Sequence, residues 1–60
     1  MSTQVEVERI LGESDNAIHV ELVGGRDVWI PFSQCDRITR RQDGSAVLVV
    51  SDWLARKEDL

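Results

Sequence analysis

Hydrophobic and polar residues alternate along most of this chain, which is the pattern of β-strands that bury one face. The alternation is clearest at 17–23. At 3–11 it is broken by the adjacent Ile10 and Leu11, which indicate a bulge or bend near Arg9. Shorter hydrophobic runs predict further strands from 26 or 27 to 30, at 38–42 and at 46–50. The last run is continuously aliphatic, which is typical of a strand buried on both sides.

Turn-forming residues separate the expected strands. Gly24-Gly25 and Asp43-Gly44 suit tight hairpins because glycine adopts positive φ without strain, and the polar run at 12–16 has the composition of another turn. Pro31 has no N–H, so it ends the third strand or places it at a sheet edge. Ser33 is expected to open a single helical turn after it.

The end of the chain has the pattern of a short helix. Ser51 and Asp52 form an N-cap signal, and Arg56 and Lys57 lie toward the C-terminal end, where the helix dipole favours cations. Trp53 and Lys57 are one turn apart and share a face. We therefore expect a mainly β fold: a small five-stranded antiparallel sheet, either an SH3-like barrel or a strongly bent sheet, with a short C-terminal helix packed on it.

The length of 60 residues limits the chain to a single small domain, 1–60, with one core. Hydrophobic residues make up 42% of the chain, well above the composition of disordered segments. The stability of domains of this size is only roughly 3–5 kcal/mol. Self-association that shelters an exposed edge would add to it, so a homodimer is consistent with the sequence.

The cysteine count and the N-terminus bear on location. Cys35 is the only cysteine, so it forms no intramolecular disulfide, which favours a reducing cytoplasm. The N-terminal residues lack the basic and apolar regions of a signal peptide. No apolar run reaches the ~18 residues of a membrane span. We expect a cytoplasmic protein with no membrane partner.

The residues that most often carry catalysis are sparse. His19 is the only histidine and lies on the polar side of its strand, where a solvated role is expected. Cys35 is the only thiol; a pair with His19 across strands is conceivable, but burial as a small hydrophobe is the favoured interpretation. No nucleotide, calcium or zinc motif is present. We predict no enzyme, no cofactor and no metal site.

Charge is unevenly distributed. The net charge is −4, yet Arg37, Arg40 and Arg41 form a local cluster whose guanidinium groups suit phosphates and carboxylates. If the strand is regular, Arg40 and Arg41 point to opposite faces. Trp29 points away from the apolar face of its strand and would add base stacking or a protein hot spot. These four residues are the predicted partner-binding site, although a core role for Trp29 and Trp53 is the more common interpretation.

Two stretches carry a family resemblance. Residues 29–34 read W-I-P-F-S-Q, and 49–57 read V-V-S-D-W-L-A-R-K. The chain thereby resembles a group of short, mostly uncharacterised phage and prophage proteins that share a W-I-P-x-S-Q corner and a closing W-L-A-x-K helix. The resemblance covers residues 17–57. It departs from the group at Asp59, where relatives often have a glycine.

The resemblance implies a phage-type origin, a compact β fold and a location in the bacterial cytoplasm. Small acidic phage proteins of this kind are frequently inhibitors of host enzymes, anti-CRISPR proteins among them. The expected function is therefore non-catalytic binding to a host or phage protein. The alternative is a small nucleic-acid-binding barrel that uses the arginines and Trp29, although an acidic chain repels nucleic acid at long range.

Overall fold

The computed structural model describes residues 1–60 and contains five β-strands and one α-helix. In chain order these are β1 (Ser2–Glu13), β2 (Ala17–Leu22), β3 (Asp27–Pro31), a 3-10 turn (Phe32–Gln34), β4 (Cys35–Arg40), β5 (Ala46–Ser51) and α1 (Asp52–Lys57). All strand pairs are antiparallel. The expected mainly β fold with five strands and a short C-terminal helix is confirmed. The helix is too short to cross a membrane.

Strand β1 organises the sheet, whose order is β3-β2-β1-β5-β4. Residues 2–7 of β1 pair with β5, and residues 7–13 pair with β2. Two register shifts, at Val7/Arg9 and Ile10/Gly12, interrupt the pairing with β2. Such bulges bend a strand, so β1 is bent and the sheet bends with it. The irregularity predicted near Arg9 is confirmed, and Gly12 lies within the strand instead of in the turn.

The sheet is open. Strands β3 and β4 are its two outer strands and do not pair with each other, so the structure has the bent sheet and not the closed barrel. The 3-10 turn joins these edge strands directly. Separately, an ion pair between Arg40 and Glu13 joins the end of β4 to the end of β1.

One face of the sheet forms the core, and α1 packs on it. The buried residues come from every strand except β4 and from the helix: Val5, Val7, Ile18, Val20, Val28, Ile30, Ala46, Leu48, Val50, Leu54 and Ala55. In β5 burial alternates, so the prediction of a strand buried on both sides is wrong. Val47 and Val49 are only half-buried because no second layer covers the opposite face, which we call the outer face.

Two tight connections hold the helix in place. The Ser51 hydroxyl accepts a hydrogen bond from the Leu54 N–H at 3.1 Å, which confirms the predicted N-cap. The same hydroxyl donates to Gln34 Oε1 at 2.6 Å, so the helix start is bonded to the 3-10 turn. That turn begins at Phe32, one residue before the predicted Ser33, and Phe32 packs against the core. Residues 29–34 and 49–57 are therefore in contact with each other.

Strand β4 differs most from its prediction. It spans Cys35–Arg40, not 38–42, and a register shift separates Cys35 from Arg37 in its pairing with β5. The strand has few apolar residues, and Ile38 is its only aliphatic contact with the core. Its position is fixed by pairing with β5 instead of by its own alternation, which is why the local pattern misplaced it.

Candidate functional site

An aromatic pair lies on the outer face of the β2–β3 hairpin. Trp29 stacks on His19 with ring centroids 4.5 Å apart and an interplanar angle of 7°. His19 Nε2 lies 2.7 Å from Asp27 Oδ2. We call these three residues the Trp29 cluster. The hairpin register sets the arrangement, because His19 is directly opposite Trp29 and Asp27 is two residues away along β3.

The cluster is held in place yet accessible. Trp29 is 52% exposed, while the imidazole of His19 stacks on its ring and so restricts its rotation. The hydrogen bond from His19 lowers the pKa of the Asp27 carboxyl below its ordinary value, so this carboxylate remains charged at neutral pH. The result is a fixed aromatic surface beside a negative charge. The interpretation of Trp29 and Trp53 as core residues is wrong: Trp53 is 54% exposed.

The backbone of β3 is free along its outer edge. Leu22 N–H donates to the Arg26 carbonyl at 2.7 Å, and Phe32 N–H donates to the Asn16 carbonyl at 2.9 Å. In an antiparallel pair such bonds recur at every second residue, so the even-numbered residues of the hairpin bond across it. The N–H and C=O groups of Asp27 and Trp29 therefore point away from β2, where no strand pairs with them.

The three predicted arginines lie on or next to β4, at the opposite edge of the sheet from Trp29. Arg40 forms an ion pair with Glu13, and Arg41 lies 3.9 Å from Glu6. Arg37 has no carboxylate partner within ion-pair distance. The structure thus separates the four predicted residues into Trp29 on β3 and an arginine group in which two members are already paired.

Cys35 and His19 face different surroundings. The Cys35 thiol donates to the Arg37 carbonyl and packs against the core, and burial raises the pKa of the thiol. A raised pKa keeps the sulfur protonated and weakly nucleophilic at neutral pH. His19 is bonded to Asp27 on the outer face. No three His, Cys, Asp or Glu side chains are grouped to hold a metal ion.

A shallow cleft opens where β1 bends away from β2. Its volume is about 300 Å³, and it is lined by Val5, Glu6, Leu22, Val23, Asp59 and Leu60. None of the residues of the Trp29 cluster lines it. The Arg26 guanidinium does not line the cleft but donates to the carbonyls of Glu58 and of Asp59, one of the lining residues.

Sequence reasoning missed the roles of His19 and Asp27. The signal that locates them is the hairpin itself: once the turn at 23–25 is placed, residue 19 pairs with 29 and residue 21 pairs with 27. An aromatic residue opposite a histidine in such a pair is expected to stack, and an aspartate two residues along is within reach of the ring.

Comparisons of the chain with protein-family models, with curated proteins and with solved structures give no match in any of the three.

Proposed function

We propose that the protein is a non-catalytic binding module that docks a partner protein on the Trp29 cluster and the free edge of β3. The observation that carries the proposal is a half-exposed tryptophan, fixed by a stacked histidine, on a strand whose outward-pointing backbone donors and acceptors are unpaired. Tryptophan is enriched among the residues that dominate binding energy at protein interfaces. Free strand edges are a common site for the addition of an extended partner segment.

Charge favours a protein partner over nucleic acid. The chain carries a net charge of −4, and Arg40 and Arg41 already face Glu13 and Glu6. Trp29, the residue best suited to stack on a base, lies beside the Asp27 carboxylate, which repels phosphates. The alternative of nucleic-acid binding rests on Arg37, because it is the arginine of the predicted cluster that has no carboxylate partner.

The resemblance to short phage and prophage proteins is the reason to propose a host or phage protein as the partner. Under this proposal the protein acts in the bacterial cytoplasm on a host or phage protein, and inhibition of a host defence enzyme, as by anti-CRISPR proteins, is one form of that activity. An acidic surface with an aromatic anchor suits a partner surface that presents basic residues.

Affinity capture from nuclease-treated bacterial lysate tests the proposal. We expect the wild-type chain to retain a stoichiometric partner and Trp29→Ala to lose it. The matched control is Trp53→Ala, which removes a second tryptophan of nearly equal exposure from the helix. Equal capture by the wild type and Trp29→Ala would refute docking at Trp29.

Binding to a single-stranded oligonucleotide at low salt tests the alternative. Nucleic-acid binding would appear as an affinity that falls steeply with salt and with Arg37→Glu. We expect no such binding by the wild-type chain.

A further inference from the structure

We propose that the β3 edge is self-complementary and pairs with β3 of a second copy about a two-fold axis at Val28. The inference rests on the proposed function, because the same edge is the docking surface for the partner. Self-pairing and partner binding then exclude each other. In the dimer the second copy occupies the β3 edge, and a partner that docks on this edge must displace it.

The spacing of the free backbone groups carries the proposal. Asp27 and Trp29 each present one N–H and one C=O outward, and Val28 between them bonds inward to Val20. A two-fold axis at Val28 brings Asp27 of each copy opposite Trp29 of the other. Each such antiparallel pair exchanges two hydrogen bonds, so the interface has about four and uses every free group of both residues.

The neighbouring register, with the axis at Trp29, is poorer. An axis at Trp29 would place Asp27 opposite Pro31, which has no N–H, so the Asp27 carbonyl would stay unbonded. The Val28 register also sets the side chains favourably. On the outer face each Trp29 lies beside an Asp27, and on the core face Val28 meets its own copy.

The two edges of the sheet differ in what they expose. Strand β4 carries Asp36, Arg37 and Arg40 and no exposed large hydrophobic residue, and charged side chains are a common protection of edge strands. Strand β3 exposes Trp29. We therefore assign self-pairing to β3.

Because β3 has only five residues, the interface between the two copies is small. We expect the dimer to form at millimolar but not at low micromolar chain concentration.

Amide hydrogen exchange of the wild-type chain tests the proposal without a substitution. As the chain concentration rises, we expect the N–H groups of Asp27 and Trp29 to become at least about tenfold more protected. Those of Ile38 and Arg40 on the β4 edge should not change. Salt should strengthen the dimer because it screens the repulsion between two chains of net charge −4. Protection at Ile38 instead of Trp29, or no protection at any concentration, would overturn the proposal.

A cysteine cross-link tests the register. In a Cys35→Ser background, V28C should form a disulfide-linked dimer on mild oxidation, because residues at a non-hydrogen-bonded antiparallel position have Cα atoms about 4.5 Å apart. The matched control, I38C in the same background, places the thiol on the other edge and should stay monomeric. Preferential cross-linking of I38C would assign the dimer to β4 and refute the proposal.

The cross-linked dimer also separates this inference from the proposed function. We expect it to lose partner capture in the lysate experiment and to regain it on reduction. A wild-type chain whose Asp27 and Trp29 N–H groups gain no protection at millimolar concentration, but which still captures a partner through Trp29, would refute self-pairing alone. A dimer with the predicted protection whose partner capture does not depend on Trp29 would refute the proposed docking surface alone.

Discussion

At the residue scale, Asp59 has an unusual backbone conformation. Its φ is 57°, the left-handed region that favours glycine. Leu60 N–H donates to the Ala55 carbonyl and Asp59 N–H to the Arg56 carbonyl, the two bonds of a Schellman helix end. The left-handed residue of that motif is usually glycine.

We therefore predict that Asp59→Gly stabilises the fold by about 1 kcal/mol, because glycine adopts this φ without a Cβ clash. Denaturant unfolding followed by Trp fluorescence measures the change. The control is Asp59→Ala, which removes the same charge from the C-terminal end of the helix but keeps the Cβ. An equal gain for both substitutions would assign the effect to charge instead of to conformation.

Asp27 gives a second prediction at this scale. The hydrogen bond from His19 lowers the pKa of Asp27 below 3.8, so the folded state holds this proton less tightly than the unfolded state does. The contribution of the pair to stability is therefore complete above that value and is lost as pH falls through the lower folded pKa.

An NMR titration of the side-chain carboxyls should place the Asp27 midpoint below 3.8 in the wild type and closer to 3.8 in His19→Gln. Asp43 is an internal reference, because hydrogen bonds from Ser45 lower its pKa without involving His19. A midpoint of Asp27 that does not move in His19→Gln would show that the hydrogen bond is absent in solution.

At the element scale, local turn chemistry predicted much of the fold. Gly24, Gly25 and Gly44 all have positive φ and lie in the expected hairpin turns. The N-cap at Ser51 was equally local. These features were predictable because a few adjacent residues determine them.

Features set by distant pairing were not predictable in this way. The length of β1 depends on pairing with β5, whose paired residues lie 39 to 49 positions away along the chain, and on two bulges that absorb Gly12 into the strand. The choice between a closed barrel and a bent sheet depends on whether β3 and β4 meet, which no local pattern records. The alternation correctly placed Trp29 on the face opposite Val28 and Ile30. It could not show that no second layer covers that face and that Trp29 is therefore exposed.

Ser51 connects two elements and gives the third prediction. Its hydroxyl accepts from Leu54 N–H and donates to Gln34, so Ser51→Ala removes the helix cap and leaves the Gln34 oxygen without this donor. We expect a loss of about 1–2 kcal/mol in the free energy of unfolding.

Ser51→Thr should retain most of the stability because threonine also caps helices. Ser33→Ala, an exposed serine in the neighbouring turn, is the control and should change the stability little. A loss in Ser51→Ala no larger than that of the control would mean that the cap contributes nothing.

At the scale of the whole molecule, one small core stabilises the entire chain. Eleven residues are buried, and they form a single cluster that joins both halves of the bent sheet to the helix. Cys35 is a free thiol, so no intramolecular disulfide adds to the stability of this core. Because no second core exists, a defect in this cluster should unfold the whole domain cooperatively instead of one half of it.

Leu48→Ala tests this dependence. Leu48 is fully buried in β5, and replacement of a buried leucine by alanine costs about 2–5 kcal/mol, as much as the roughly 3–5 kcal/mol that a domain of this size holds. We expect the variant to be largely unfolded at 25 °C, with lost dispersion of amide signals in NMR spectra.

Leu48→Met preserves the side-chain volume and should stay folded. Trp53→Ala should also stay folded, because its ring is half-exposed and removal of it opens no cavity in the core. If Leu48→Ala kept a dispersed spectrum and its free energy of unfolding fell by less than about 1 kcal/mol, the stability of the chain would have to come from contacts outside this cluster. The first such contact to measure would be the pairing of β3 with a second copy.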